Sequence, residues 1–190
     1  MDHSVVFAGF GGQGLLFTGQ ALARAAIKDG LEVFWIPSYG PEMRGGTASC
    51  TVILGDDPIG SPVVDQFGAA VVMNLPSLRK FCGRVAPSGL LVVNTSLITS
   101  QRSGRTDIDE LLLPCTELAA ASGDDKLVSI VALGALVARL GWVTPDSVRA
   151  ALREMAGKKH PEAVEPDLAA FSAGLEAGRV AAAVQATPAR

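Results

Sequence analysis

The stretch "GFGGQG" occupies Gly9 to Gly14 and directly follows the apolar run "SVVFA". It matches the pattern G-x-G-x-x-G, which lets a phosphate group approach backbone amides when it lies between a strand and a helix. A second interpretation is that these glycines only let the first turn and helix pack close to the sheet. Both interpretations predict the same strand, turn and helix, and so an α/β fold.

Short apolar runs alternate with helical stretches along the rest of the chain, and this pattern is typical of a mostly parallel sheet covered by helices. The predicted strands are 5–8, 32–36, 48–54, 70–73 and 90–93, with a sixth at 111–114. The predicted helices are 14–28, 77–81, 117–121, 127–140, 145–156 and 166–184. Two helix starts carry a proline at the first helical position, Pro145 after the cap Thr144 and Pro166 after Glu165. We predict a single Rossmann-like α/β domain over 1–185 with a helical C-terminal third, and a disordered tail over 186–190.

Length and charge exclude several functional classes. The chain has 190 residues, which suits one large domain. Its 16 basic and 19 acidic side chains give a net charge of −3, which offers no electrostatic footprint for nucleic acid or anionic lipid. The short basic groups at 79–80 and 158–159 are interpreted as solvated faces. We therefore expect no binding to nucleic acid or to a membrane.

The N-terminus indicates a cytoplasmic protein, and neither the apolar segments nor the cysteines point to a membrane span or a metal motif. The N-terminus lacks the charged and apolar regions of a secretory signal. The stretch "LVSIVALGALVARLG" at 127–141 is interrupted by Arg139 and is shorter than the ~20 residues of a membrane span. It is predicted to be an apolar core helix, covered either by this domain or by a partner. Cys50, Cys82 and Cys115 are too widely spaced for a zinc, iron–sulfur or dithiol motif, and Cys50 and Cys115 are expected to pack.

A second unusual loop, "SYGPEMRGGTASC", extends from Ser38 to Cys50. It is too short for the helical crossover that joins parallel strands, so strand 48–54 is predicted to run antiparallel to its predecessor. The loop then lies at the carboxyl edge of strand 32–36, together with the glycine loop. Asn74 and the "NTS" at 94–96 also follow strands directly. We expect all four to open onto one rim, at the edge where open α/β sheets bind ligands.

Within this rim, Arg44 carries a planar fork that suits a carboxylate or a phosphate. Either it contacts a ligand, or it forms an ion pair with Glu42 or with an acid of another subunit. Gly45 and Gly46 permit close backbone approach, and packing is favoured over acid–base chemistry for Tyr39.

An NAD or FAD site formed by this chain alone is disfavoured. Such a site requires an acidic residue at the end of the second strand to hold the ribose. Here that strand ends in "FWIPS", and its acid, Glu32, stands at the beginning.

The ordered series "GFGGQG", "IPSYGPEMRGGTASCTVI", "GSPVV", "MNLPSL", "GLLVVN" and "VALGALV" resembles the gamma subunit of 2-oxoacid:ferredoxin oxidoreductases over nearly the whole chain. The resemblance implies a subunit of an enzyme that converts a 2-oxoacid, coenzyme A and oxidised ferredoxin into an acyl-CoA, carbon dioxide and reduced ferredoxin. The sequence of the second loop is most similar to the 2-oxoglutarate and 2-oxoisovalerate branches of the family, which also includes pyruvate enzymes. The family resemblance further implies alpha, beta and delta subunits as partners, which carry thiamine diphosphate and iron–sulfur clusters. This chain lacks the GDG pattern for thiamine diphosphate and the cysteine spacing for a cluster, so no cofactor and no metal are expected in it.

No residue of this chain is expected to be catalytic. The predicted binding or interface residues are Gly9, Gly11, Gly12, Gln13, Gly14, Ser38, Tyr39, Glu42, Arg44, Gly45, Gly46, Asn74 and Asn94. Their expected role is to shape a rim that faces partner subunits and contacts the pyrophosphate or pantetheine of coenzyme A. The alternatives are a purely structural assembly module and a free-standing nucleotide-binding oxidoreductase. The stretch "SQRSGRTDIDE" at 100–110 departs from the family and is expected to be a variable surface loop.

Overall fold

The computed structural model describes residues 2–39, 47–157 and 160–185. Within them a six-stranded sheet has the order β2-β3-β1-β4-β5-β6. The strands are β1 (His3–Phe10), β2 (Glu32–Tyr39), β3 (Thr47–Gly55), β4 (Phe67–Val72), β5 (Val85–Asn94) and β6 (Asp109–Leu113). The helices are α1 (Leu15–Lys28), α2 (Leu75–Phe81), α3 (Cys115–Ala121), α4 (Val128–Leu140), α5 (Pro145–Ala156) and α6 (Val164–Gln185). The predicted α/β class with a helical final third is confirmed.

Strand β3 runs against the direction of the other strands. It pairs antiparallel with both β1 and β2, whereas β1, β4, β5 and β6 pair in parallel. This confirms the expectation from the short connection between β2 and β3. Because β2 and β1 both oppose β3, the carboxyl ends of five strands meet at one edge of the sheet.

Most element starts differ from the prediction by one to five residues, and two of the differences have a clear cause. Strand β5 begins at Val85, five residues before the predicted start. Val85 already pairs with Phe67 of β4, although the turn-forming residues "APSG" follow it and shift the register of the pairing. Within this irregularity Ser88 adopts a φ of 63°. Helix α6 begins at Val164, because a short 3-10 turn, Pro161–Ala163, leads directly into it. Pro166 still lies in the first turn, where its missing N–H has no intrahelical partner to lose.

The predicted start of α5 is confirmed. The side chain of Thr144 accepts a hydrogen bond of 3.3 Å from the N–H of Ser147, and Pro145 is the first helical residue. The carboxylate of Asp29, at the end of α1, also accepts the N–H of Thr144 at 2.6 Å. This contact joins α1 to α5. The tail prediction for 186–190 lies outside the described residues.

One face of the sheet carries the larger core, formed with α1, α4, α5 and α6. Ten consecutive residues of α4, from 128 to 137, are buried. Glycines allow α4 and α6 to approach closely: a Cβ on Gly178 would come within 2.8 Å of the Ala135 carbonyl oxygen, and one on Gly174 would overlap the Val131 carbonyl. This domain therefore covers its own apolar helix, which resolves the alternative left open by the sequence.

The opposite face carries a smaller core beneath α2 and a 3-10 turn, Cys82–Arg84, against β1, β4 and β5. The β2 end of this face is more open, since Phe34 is 42% exposed. Strand β2 is also an edge strand of the sheet, and it contains Pro37.

Residues 100–110, expected to form a variable surface loop, are held to the domain by specific contacts. The guanidinium of Arg105 donates to the carbonyl oxygens of Cys82 (3.0 Å) and Val85 (2.5 Å) and pairs with Asp107. The last two residues of the stretch already belong to β6. No helix among the described residues is long and apolar enough to cross a membrane.

Candidate functional site

The predicted loops gather at one edge of the sheet. At this edge Phe10 of β1 lies opposite Thr47 of β3, and Tyr39 of β2 lies opposite Ala48. Strands β4, β5 and β6 end there as well, with Val72 paired to residue 93 and Asn94 paired to residue 113. The four loops singled out in the sequence therefore all start from this edge.

The glycine loop is a tight turn closed by its own glutamine. Gln13 Oε1 accepts the N–H of Phe10 at 2.7 Å. Gly12 and Gly14 have φ values of 94° and 75°, which side-chain-bearing residues rarely adopt. Gly9 has no room for a side chain, because a Cβ there would lie 2.8 Å from the Cβ of Met73 and would overlap Gln13 Oε1. Gly11, in the same turn, is half-buried.

Helix α1 starts at this loop without a side-chain cap. A Cβ on Gly14 would lie 2.9 Å from Ser129 Oγ, in the first turn of α4. The buried hydroxyl of Thr18 donates to Ser129 Oγ at 2.8 Å. The first turns of α1 and α4 thus meet under the glycine loop, a contact across 111 residues that no local sequence signal indicates.

Asn74 and Asn94 follow strands that end at the expected edge, but their side chains are buried, with exposures of only 2% and 1%. Asn74 Oδ1 accepts the N–H of Ser77 at 2.9 Å and caps α2. Asn94 Oδ1 accepts the N–H groups of Ser96 and Cys115, each at 3.2 Å. Both amide nitrogens lack a hydrogen-bond partner among the described residues. The expectation that these side chains open onto the rim is corrected, because each amide oxygen is used to hold the turn that follows its strand.

The start of α3 holds a polar pair that was not predicted from the sequence. The hydroxyl of Ser96 donates to the carboxylate of Glu117 and accepts the N–H of Thr116 at 3.0 Å. This hydrogen bond from Ser96 lowers the pKa of Glu117. Two separate features of the sequence were the available signal: the polar "NTS" after β5, and an acidic residue, Glu117, in the first turn of the next helix. Hydroxyl and carboxylate groups of this kind stabilise a helix N-terminus.

Part of the predicted site lies outside the described residues, namely Glu42, Arg44, Gly45 and Gly46. The backbone of Tyr39 pairs with Ala48, and its side chain is not among those described. Ser38 is exposed on the sheet face opposite α1. Ligand binding by these residues remains a prediction.

The expectation that two cysteines pack in the core is confirmed, since Cys50 and Cys115 are fully buried. Burial raises the pKa of Cys50 to about 12 and also raises that of Cys115. Both thiols are therefore protonated at neutral pH and poor metal ligands. Within the described ranges, no group of three or more His, Cys, Asp or Glu side chains could hold a metal ion.

The model of the pyruvate ferredoxin/flavodoxin oxidoreductase family matches residues 4–177. The chain belongs to this family. As a member of the pyruvate ferredoxin/flavodoxin oxidoreductase family, it is 37% identical to the ketoisovalerate oxidoreductase subunit VorA of Methanothermobacter thermautotrophicus, over 92% of its own length. The match covers 36% of that relative, and the chain thus spans about a third of its length.

Other members of the family are similar in size to this chain. The 2-oxoglutarate synthase subunit KorC of Methanocaldococcus jannaschii is 30% identical, and the match covers 94% of this chain and 95% of KorC. The crystal structure of the keto/oxoacid ferredoxin oxidoreductase gamma subunit from Geobacter sulfurreducens PCA superposes with a TM-score of 0.83 at 29% identity, over 95% of this chain and 98% of that one. The family fold occurs both as a separate chain and as one part of a longer chain.

Proposed function

We propose that this chain is the gamma subunit of a multi-subunit 2-oxoacid:ferredoxin oxidoreductase. The complex would convert a 2-oxoacid, coenzyme A and oxidised ferredoxin into an acyl-CoA, carbon dioxide and reduced ferredoxin. The observation that carries the proposal is the end-to-end match to a solved gamma subunit, which covers nearly all of both chains. Relatives named for 2-oxoglutarate and for ketoisovalerate favour these two substrates.

The chain itself would carry no cofactor. Its two core thiols are fully buried, and burial raises their pKa. Thiamine diphosphate and iron–sulfur clusters would be held by alpha-, beta- and delta-type partner subunits, and ferredoxin would take electrons from the complex. The purified chain should accordingly be colourless, and stoichiometric iron in it would contradict this assignment.

The rim at the carboxyl edge would face coenzyme A where it enters the complex. Support comes from donors without acceptors: the first turn of α1 begins at the glycine loop with no side-chain cap, so its backbone N–H groups lack a side-chain acceptor. Such donors are costly unless an acceptor is supplied, and a pyrophosphate or an amide carbonyl is a suitable acceptor. A purely structural rim is the alternative, supported by the use of Gln13 to close its own turn.

The contribution of Arg44 separates these two roles. If Arg44 binds coenzyme A, Arg44→Lys should raise its KM and Arg44→Ala should raise it further, with normal assembly. If Arg44 instead forms a buried ion pair, Arg44→Ala should cost about 3–5 kcal/mol and dissociate the complex. Gel filtration and steady-state assays of the reconstituted enzyme distinguish the outcomes. Normal assembly with unchanged kinetics in Arg44→Ala would refute both roles.

A further inference from the structure

The sheet face opposite α1 and α4 carries a cavity that the proposed coenzyme A contact does not use. Its volume is about 190 Å³. Three hydroxyl side chains of neighbouring strands line the sheet side of the cavity: Ser38, Ser49 and Thr51. Ser38 pairs directly with Ser49, and Thr51 pairs with Ile36. This side of the cavity is therefore a mixed polar and apolar surface on β2 and β3.

The other side of the cavity is aromatic and cationic. The rings of Phe67 and Phe81 pack edge to face, with centroids 6.1 Å apart. Lys80 Nζ lies 5.1 Å from the centroid of Phe81, and Arg84 Cζ lies 4.8 Å from that of Phe67. The basic group at 79–80, interpreted from the sequence as a solvated face, thus contributes one exposed cation to a cavity.

The two cations are not neutralised within the described part of the chain. Arg84 donates to the backbone carbonyl oxygens of Val64 (2.6 Å) and Asp65 (3.2 Å), which carry no net charge. Neither Lys80 nor Arg84 belongs to an ion pair among the described residues. An occupant that carries a carboxylate would therefore be attracted, and one that carries a cation would be repelled.

The volume limits the occupant to one side chain. Pockets that hold drug-sized ligands and cofactors measure roughly 300–1,000 Å³, so 190 Å³ is too small for such a ligand. A cavity of about 150 Å³ holds a benzene ring. The space therefore fits one aromatic or aliphatic side chain, which is the kind of anchor that dominates protein interfaces.

We propose that this cavity seats an apolar anchor residue, flanked by an acidic residue, of the catalytic partner subunit; this inference rests on the proposed function. In the ketoisovalerate relative, a domain like this one makes up 36% of a longer chain, so most of that protein is other structure attached to it. In a separate gamma subunit, as proposed above, that other structure would belong to partner chains and would be reached through a non-covalent contact surface. The half-exposed Phe34 lies on the same face of β2 and extends that surface beyond the cavity.

Charge reversal on α2 tests the acidic contact with a matched control. Lys80 and Arg79 are neighbours in the last turn of α2 and both are exposed, but only Lys80 lines the cavity. Lys80→Glu should weaken binding to the purified partner subunit about thirty-fold or more, as measured by calorimetry. Arg79→Glu makes the same change in net charge and should bind within about three-fold of the wild type. Equal binding by the two variants would overturn the proposal.

Filling the cavity tests the apolar anchor. Thr51→Trp places an aromatic ring in the cavity from a strand position that tolerates aromatic residues. We expect the isolated variant to melt at the wild-type temperature and to lose detectable binding to the partner. A lowered melting temperature would show that an aromatic ring does not fit the space without strain, so that the cavity cannot seat the proposed anchor, which would overturn the proposal. Normal assembly with a raised KM for the 2-oxoacid would assign the cavity to a small carboxylate instead, with the same consequence.

Two further outcomes separate this inference from the proposed function. If the wild-type chain neither binds the partner nor supports 2-oxoacid oxidation in the reconstituted complex, the proposed function fails. If the wild type does both and Lys80→Glu and Thr51→Trp also do both, only the docking surface fails. Sedimentation of the isolated chain tests whether a second copy of the chain binds this face. If Lys80→Glu abolishes self-association and leaves partner binding intact, the face belongs to a second copy, which would overturn the proposal.

Discussion

The two faces of the sheet are covered to different degrees. On one face α4 and α6 approach until glycine is required at their contact, and ten consecutive α4 residues are buried. On the other face the β2 end is more open and carries hydroxyls, cations and a half-exposed phenylalanine. The comparison teaches that the apolarity of a segment does not predict how exposed it is in the folded chain. The most apolar segment of this chain is largely covered by its own domain, and the open surface lies on an edge strand whose exposed face mixes apolar and polar side chains.

The largest expected difference between the two faces concerns two phenylalanines. Phe171 of α6 is fully buried in the larger core, whereas Phe34 of β2 is 42% exposed on the open face. Phe171→Ala should lower the free energy of unfolding by about 3–5 kcal/mol, because it removes buried surface and leaves a cavity. Phe34→Ala should lower it by about 1 kcal/mol or less, since its side chain already contacts water. Urea unfolding of the isolated chain measures both values.

Similar losses for the two phenylalanine variants would break the comparison. They would mean that something covers Phe34 in the isolated chain as completely as the helices cover Phe171. A solvent-exposed apolar substitution such as Ile27→Ala, on a side chain 63% exposed, gives the baseline for a change without packing consequences.

A smaller effect is expected at the contact between α4 and α6. Gly174→Ala should cost about 3 kcal/mol, because the new methyl group would overlap the Val131 carbonyl and force the helices apart. Gly83→Ala serves as the control, since a Cβ there meets nothing within 4 Å. Thermal unfolding of both variants measures the difference. A tolerated Gly174→Ala would show that the two helices are not packed backbone to backbone.

The smallest effect concerns a buried acid at the start of α6. Burial, with the nearby charge of Asp124, raises the pKa of Asp167 to about 6. The folded state therefore disfavours ionised Asp167. The contribution of this residue to the free energy of unfolding falls as the pH rises from about 4 to 6, because the unfolded chain releases the proton at a lower pH than the folded chain. Asp167→Asn removes the charge and should raise the free energy of unfolding by about 2 kcal/mol at pH 7.5, with little gain at pH 4.

Urea titrations of Asp167→Asn at the two pH values measure this effect. Glu165→Gln changes an exposed carboxyl of the same helical turn and should show no comparable gain at pH 7.5. A gain of equal size at both pH values would indicate a packing effect and not a titration.

Local chemistry explains the parts of the fold that the sequence predicted. The reversed direction of β3 follows from a connection too short for a crossover, and the start of α5 follows from Thr144 and Pro145. The convergence of the loops at one edge follows from strand direction alone. Each of these inferences required only neighbouring residues and the geometry of parallel strands.

The remaining features depend on contacts between distant residues. The pairing of Thr18 with Ser129 joins two helices separated by about half of the chain. Asn74 and Asn94 were expected to open onto the rim because each directly follows a strand, but their amide oxygens hold the following turns. Arg105 fixes a loop through carbonyl groups that no sequence pattern marks. The cavity arises where α2 stops short of β2, which only the three-dimensional arrangement defines.

Pro37 has a consequence for solubility. Strand β2 forms an outer edge of the sheet, and an exposed edge can pair with the same edge of another molecule and begin fibrous aggregation. Proline has no N–H to donate, so one position of this edge cannot join an intermolecular ladder. The charged Glu32, at the other end of the strand, adds repulsion between two such edges. The open face of the sheet is thereby protected, along its outermost strand, from stacking onto copies of the same chain.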